Sequence, residues 1–146
     1  MDEKDKKIIE ILKEDSSLST REIAKKIHIP ITTVHKRIKK LKENRVIKRF
    51  TIELDYKQLG RNLAAYVLVS ADLKQLKEKN RTQYDIVKDL KKIEAVEKAD
   101  IVTGGTDVVV SLRVKDVEEL NKVLLSRVQK IEGISDTQTL VVIEEG

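Results

Sequence analysis

One stretch of the chain carries most of the candidate chemistry. From Lys36 to Arg49 there are eight basic residues and one acid, Glu43. Val34, Ile38 and Leu41 follow i, i+4 and i+7, the spacing of a single buried helical stripe. Counted from Val34 at about 100° per residue, Thr32, Lys36 and Lys39 lie near the opposite side. Thr33, His35 and Lys40 flank them, and Arg37 sits at the edge of the stripe. A helix loaded with cations on its outer side repels itself unless an anion is nearby, and a polyanion such as DNA is the partner that charge fits.

A second stretch is Gly104-Gly105-Thr106 followed by Asp107. Paired glycines let backbone N–H groups approach a carboxylate closely, and Asp107 can pair with an ammonium group. A carboxylate nest beside one anion is what an α-amino acid needs. The alternative is a plain hairpin turn in which Asp107 bonds nearby backbone.

Other chemistry is disfavoured. The chain of 146 residues has no Cys, which excludes thiol catalysis, disulfides, zinc knuckles and iron–sulfur ligation. Its two His, His28 and His35, both lie in the first quarter, so no His-rich metal site is expected. With no acid/base pair or phosphate loop visible, the chain does not read as an enzyme and no cofactor is expected. No apolar run approaches the roughly 20 residues of a membrane helix, and no secretory signal is visible, so the expectation is a cytoplasmic protein with no membrane partner.

The elements that must hold these residues fall into two groups with different charge. Residues 1–50 hold 15 Lys/Arg against 8 Asp/Glu, whereas 51–146 hold 15 against 17. In the first group, Ile8, Ile11 and Leu12 predict a helix over 3–14. Ser19 or Thr20 is expected to cap a helix over 20–27, and Glu22 follows Ser19 at capping-box spacing. Pro30 cannot continue that helix and opens a third, over 30–44. Short helices joined by a tight turn, the last with a basic outer face, are the parts of a helix-turn-helix. A small bundle with a basic solvated face is the alternative. Phe50, Ile52 and Leu54 then alternate with polar residues, predicting a strand that serves as a wing or a lead-in, and 55–60 reads as a connector.

The second group predicts strands at 63–71, 96–103, 107–114 and 137–144 and helices at 83–93 and 116–129, with 72–82 left as a polar stretch. The order βαββαβ is the ferredoxin-like plait, so the fold class is α+β. Three regions are expected: 1–50 as the helix-turn-helix, 51–61 as strand and linker, and 62–146 as the plait. Tyr66 and Leu68 alternate with Val67 and Val69, so that strand is apolar on both faces; helices cover one side and a second copy of the chain is expected to cover the other.

The ordered motifs Asp5-xx-Ile8-Ile9-xx-Leu12, Ser19-xx-Glu22-Ile23-Ala24, Thr33-Val34-xx-Arg37-Ile38-xx-Leu41 and Val46-Ile47, with Thr103-Gly104-xx-Asp107 and Asp136-Thr137-x-Thr139, resemble the Lrp/AsnC (feast/famine) regulators of bacteria and archaea. The resemblance runs over nearly the whole chain except 72–82. It implies a DNA-binding regulator that dimerises through its plait, in some members as tetramers or octamers, and responds to an amino acid or related metabolite. By position it implies Thr32, Thr33, His35, Lys36, Lys39 and Lys40 in the DNA groove, with Arg37 as either a phosphate contact or a salt-bridge anchor. It also implies an effector loop of Thr103, Gly104, Gly105 and Asp107, with Thr137 and Thr139 nearby. Three positions depart from the family. His28 stands where a turn glycine is usual. Pro30 stands where Ser caps the recognition helix, leaving capping to Thr32 or Thr33. Arg45 replaces a glycine, with Asn44 expected as the left-handed cap. The function expected is sequence-specific regulation from a pseudo-palindromic double-stranded DNA operator; an architectural DNA-compacting protein is the alternative.

Overall fold

The first two helices begin where a side chain takes their orphan amides, and the third does not. The structure, a computed structural model, describes residues 1–146 and divides into two units, Met1–Leu54 and Asp55–Gly146. In the first, helix α1 (Glu3–Glu14) is capped by Asp2 and α2 (Thr20–Ile27) by Ser19, each in a reciprocal capping box, with Asp5 and Glu22 respectively. Helix α3 (Ile31–Glu43) starts after Pro30, which supplies no side-chain cap, and neither Thr32 nor Thr33 takes over that task. Instead the Pro30 carbonyl accepts from the amides of Thr33 and Val34. Ile8, Ile23, Val34 and Leu41 close one small core among the three helices.

Left-handed backbone brackets α3. His28 ends α2 with φ 54° and ψ 48°, as a residue standing for the turn glycine must. At the other end Arg45, with φ 57°, takes the left-handed position; Asn44, expected there, is at φ −80°. The strand expected at 50–54 does not form: those residues pair with nothing in the chain.

The second unit is an antiparallel sheet ordered β2-β3-β1-β4, made of β1 (Leu63–Ala71), β2 (Val96–Ile101), β3 (Val108–Val114) and β4 (Ile134–Val141). Helix α4 (Leu73–Glu78) follows β1 and α5 (Gln83–Leu90) precedes β2, while α6 (Val117–Val123) runs on into a π-helical turn, Leu124–Val128. The core lies between sheet and helices: Val67, Val69, Val108, Val110 and Leu112 meet Ile86, Leu90, Leu120 and Val128. On the other face Tyr66 lies opposite Ser111 and Leu140, and Leu68 opposite Val109. Tyr66 and Leu140 are exposed in the single chain.

Several boundaries differ from expectation, among them the end of α5, at Leu90 rather than 93. Helix α4 occupies part of the stretch left as polar. It docks on Gly133, whose N–H donates to Gln75 Oε1 at 3.0 Å and whose carbonyl accepts from Asp72 N at 2.7 Å. At φ 99°, a Cβ on Gly133 would sit 2.3 Å from Leu76 Cδ2, so the close approach requires glycine. Strand β4 begins and ends three residues earlier than expected, because its register is set by β1, with a bulge at Ser70/Ala71 that places Ile134 opposite Ala71. The second β-hairpin strand pair ends short, at Ile101 and from Val108, leaving a longer loop than the tight turn expected.

Candidate nucleic-acid interface and ligand loop

Helix α3 buries Val34 and Leu41 and turns Thr32, His35, Lys36, Lys39 and Lys40 outward; Thr33 is half-buried. Lys36 and Lys40 make no ion pair within the chain, and Lys39 reaches Glu43 only at 3.9 Å, between exposed groups. Such a contact is worth little in water. The outer side of α3 is therefore a row of cations whose charge is not spent internally.

Arg37 differs. Its Nη1 donates to both oxygens of Asp2 at 2.8 Å and to Asp5 Oδ1 at 3.0 Å. The guanidinium is largely covered. Of its two expected roles, the structure has the anchor: Arg37 ties α3 to the start of α1 rather than standing free for a phosphate. The bonds from the Asp5 amide and from Arg37 hold the Asp2 carboxyl down at about 2, and the two carboxylates, Asp2 first, raise Arg37 above its ordinary value. Neither acid was identified as a partner from sequence. The available signal was their i, i+3 placement ahead of Ile8 and the position of Arg37 at the stripe's edge.

The 103–107 loop joins β2 to β3. Val102 N donates to the Asp107 carbonyl at 2.9 Å and closes it. Gly104 has φ 119°. Thr103, Gly104 and Gly105 are exposed, and the N–H groups from Thr103 to Thr106 make no hydrogen bond within the chain. Asp107 is only partly available to an ammonium group: its Oδ2 accepts from Ala71 N at 2.7 Å, across the bulge of β1. Asp107 thus has the backbone-bonding role of a hairpin aspartate, with a partner, Ala71, that lies far off in sequence.

Thr137 and Thr139 are half-buried on β4, opposite Val69 and Val67. Thr137 shares the row of Val69 and Val108 next to the loop, but two strands away, roughly 10 Å. Thr139 is a further pleat along. Within one chain the structure thus gathers 103–107 into one loop, with Thr137 at the same end of the sheet and Thr139 apart.

Comparison with known proteins assigns both units. A winged helix-turn-helix DNA-binding profile matches residues 1–48 and the Lrp/AsnC ligand binding domain matches 64–145. The chain is 40% identical to an uncharacterized HTH-type transcriptional regulator of Pyrococcus abyssi over 99% of this chain and 92% of that one. It is 38% identical to the HTH-type transcriptional regulator FL11 of Pyrococcus furiosus over 99% and 90%. E. coli AsnC has the same fold, with TM-score 0.86 at 23% identity over 99% and 93% of the two chains. So does a Neisseria meningitidis transcriptional regulator solved as an L-Met complex, at TM-score 0.90, 21% identity, 99% and 91%.

Proposed function

The chain belongs to the Lrp/AsnC family of transcriptional regulators, with a DNA-binding and a ligand-binding domain, and from that premise we propose how it works. It is a sequence-specific regulator in which two copies present α3 to successive major grooves of a pseudo-palindromic operator, about 34 Å apart. The observation that carries this is the row of outward cations on α3, of which only Lys39 meets an acid, at 3.9 Å and in solvent. Lys36, Lys39 and Lys40 supply affinity through phosphates, while Thr32, Thr33 and His35 read base edges or thymine methyls. Acting on chromosomal DNA, it works in the cytoplasm.

The ligand is an amino acid or a close relative, seated by its carboxylate on the free amides of 103–106. Three observations support this: those amides have no partner in the chain, the adjoining Asp107 bonds Ala71 through only one of its two carboxylate oxygens, and the Neisseria regulator of the same fold is an L-Met complex. Binding there changes how copies assemble and so how the paired α3 helices are spaced, which couples the two sites through quaternary structure.

Footprinting on the gene's own promoter tests the first part. A discrete, periodic footprint is expected; uniform coverage would favour a DNA-compacting protein instead. Light scattering and melting with each amino acid in turn test the second part. If none changes mass, melting temperature or operator affinity, the ligand assignment is wrong.

A further inference from the structure

Arg113 gathers parts of the second unit that lie far apart in sequence. It alternates with the buried Leu112 and Val114 and so stands on the open face of the sheet. Its two terminal nitrogens hold both oxygens of Glu145, Nη1 donating to Oε2 at 3.1 Å. Glu97 of β2 forms an ion pair with Nε at 2.5 Å, and the guanidinium carbon lies 4.3 Å from the centre of the Tyr56 ring. The Arg113 side chain is 17% exposed. A bulge in β2 brings Glu97 there. Val96 lies opposite Leu112 and Lys98 opposite Ser111, so Glu97 is the extra residue. Without the bulge Glu97 would face Leu112 and share its buried side. The sheet gives up regular register at the place where the cluster needs its second carboxylate.

Tyr56 is the second residue of this unit and the only one of 51–60 that is not exposed. The turn around it bonds only to itself and to Arg61. Gln58, Leu59 and Gly60 donate their amides to the carbonyls three residues back, Lys57 N donates to Asp55 Oδ1, and Arg61 N donates to the Tyr56 carbonyl. No hydrogen bond joins 55–60 to the sheet, so the ring on Arg113 is what seats the turn. Arginine suits this task because its flat guanidinium stacks on a ring while forking to a carboxylate, which lysine cannot do. We propose that Arg113 is a positioning residue for operator binding: by seating Tyr56 it keeps the 55–60 turn folded on the sheet and so limits how far the two α3 helices of a pair can stray from each other. Residues 48–54 make no backbone hydrogen bond within the chain. Releasing Tyr56 extends that free chain to 48–62, about twice the length, and effective concentration falls as roughly the −3/2 power of linker length, so the second α3 of a pair would find its half-site roughly threefold less readily.

This role rests on the reading above that two α3 helices share one operator. Fluorescence anisotropy of the full chain with three duplexes from the gene's own promoter tests it. The first carries the footprinted site, the second the same site with about 5 base pairs, half a helical turn, inserted at its centre, and the third a single half-site. The unmodified chain should bind the inserted site more weakly than the natural one. Tyr56→Ala, which leaves the sheet untouched, and Arg113→Met should each bind the natural site roughly threefold more weakly, lose part of the discrimination against the insertion, and keep the half-site affinity. Tyr56→Phe, which keeps the ring, should match the unmodified chain. Should Arg113→Met fail to fold in a thermal melt, Tyr56→Ala decides. If either folded variant keeps both the natural-site affinity and the insertion penalty, Arg113 does not position the helices, while the paired-helix reading stands. A half-site affinity that falls as far as the natural-site one means that the cluster acts through folding or direct DNA contact, and also overturns the role. If the unmodified chain ignores the insertion, the paired-helix reading fails and the role of Arg113 with it.

Discussion

Replacing Lys36 by Ala and Arg37 by Met separates two neighbouring cations, one proposed to meet a phosphate and the other bonded to the acids of α1. Lys36 is exposed and makes no ion pair, so on DNA its ammonium is free for a phosphate. Each phosphate neutralised contributes about 0.9 to the slope of log affinity against log salt. Losing one contact per protomer should therefore flatten the slope by about 0.9, or about 1.8 for a two-fold pair. Between roughly 50 and 200 mM salt, a fourfold change, each lost contact removes about 3.5-fold of the salt-induced weakening. Arg37, by contrast, has its Nη1 held by both oxygens of Asp2 and by Asp5. Arg37→Met should leave the salt slope at its original value and lower the melting temperature, because it uncouples α3 from α1. Fluorescence anisotropy with one labelled operator duplex at four or five salt concentrations, beside thermal melts, reads both quantities. An unchanged slope for Lys36→Ala, or a slope change for Arg37→Met as large as the Lys36 one, would refute the division of roles.

Gly133→Ala combines a positive φ with a 2.3 Å approach to Leu76; it should cost about 2–4 kcal/mol in urea unfolding, and a loss under 1 kcal/mol would contradict the docking of α4. Asp107→Ala should destabilise the sheet unit by about 1–3 kcal/mol without any ligand, because the Ala71 amide loses its acceptor; Asp107→Asn, which keeps an acceptor oxygen, should cost less, and equal losses would show that bond to be idle. Acid titration tests the Asp2 clamp. Its carboxyl is lowered from 3.8 to about 2, so its stabilisation is complete above the ordinary value and is lost as pH falls through that window. Asp2→Asn should remove that part of the acid sensitivity, and coincident acid unfolding curves for the two proteins would contradict it.

The parts of the fold legible in the sequence are those set by near neighbours. Capping boxes at Ser19 and the period of Val34, Ile38 and Leu41 are local, and α2 and α3 lie where those signals put them. Strand β1 likewise matches its apolar run. What could not be read depends on residues far along the chain. Helix α4 is short and polar in composition, and its seat is made by Gly133. The bounds of β4 follow from its register with β1. Phe50, Ile52 and Leu54 show that alternation marks a segment able to pair, not one that has found a partner. In the candidate site the outward side of α3 followed from periodicity alone, but the partners of Arg37 and Asp107 lie 35 and 36 residues away. Local spacing offers the kind of bond but not the partner.

Both ends of α3 are held by backbone that favours glycine, and in this chain the residues there are His28 and Arg45. Each costs about 1–2 kcal/mol relative to a residue without a Cβ. Both side chains are exposed, so no packing returns that energy. The protein thus carries slack that an engineer could take up: glycine at either position would harden the small helical unit against heat without altering the groove-facing row. If a His28→Gly or Arg45→Gly chain proved tougher but gripped its operator less firmly, the difference would measure how much folding energy the natural sequence surrenders for keeping a side chain at that end of α3.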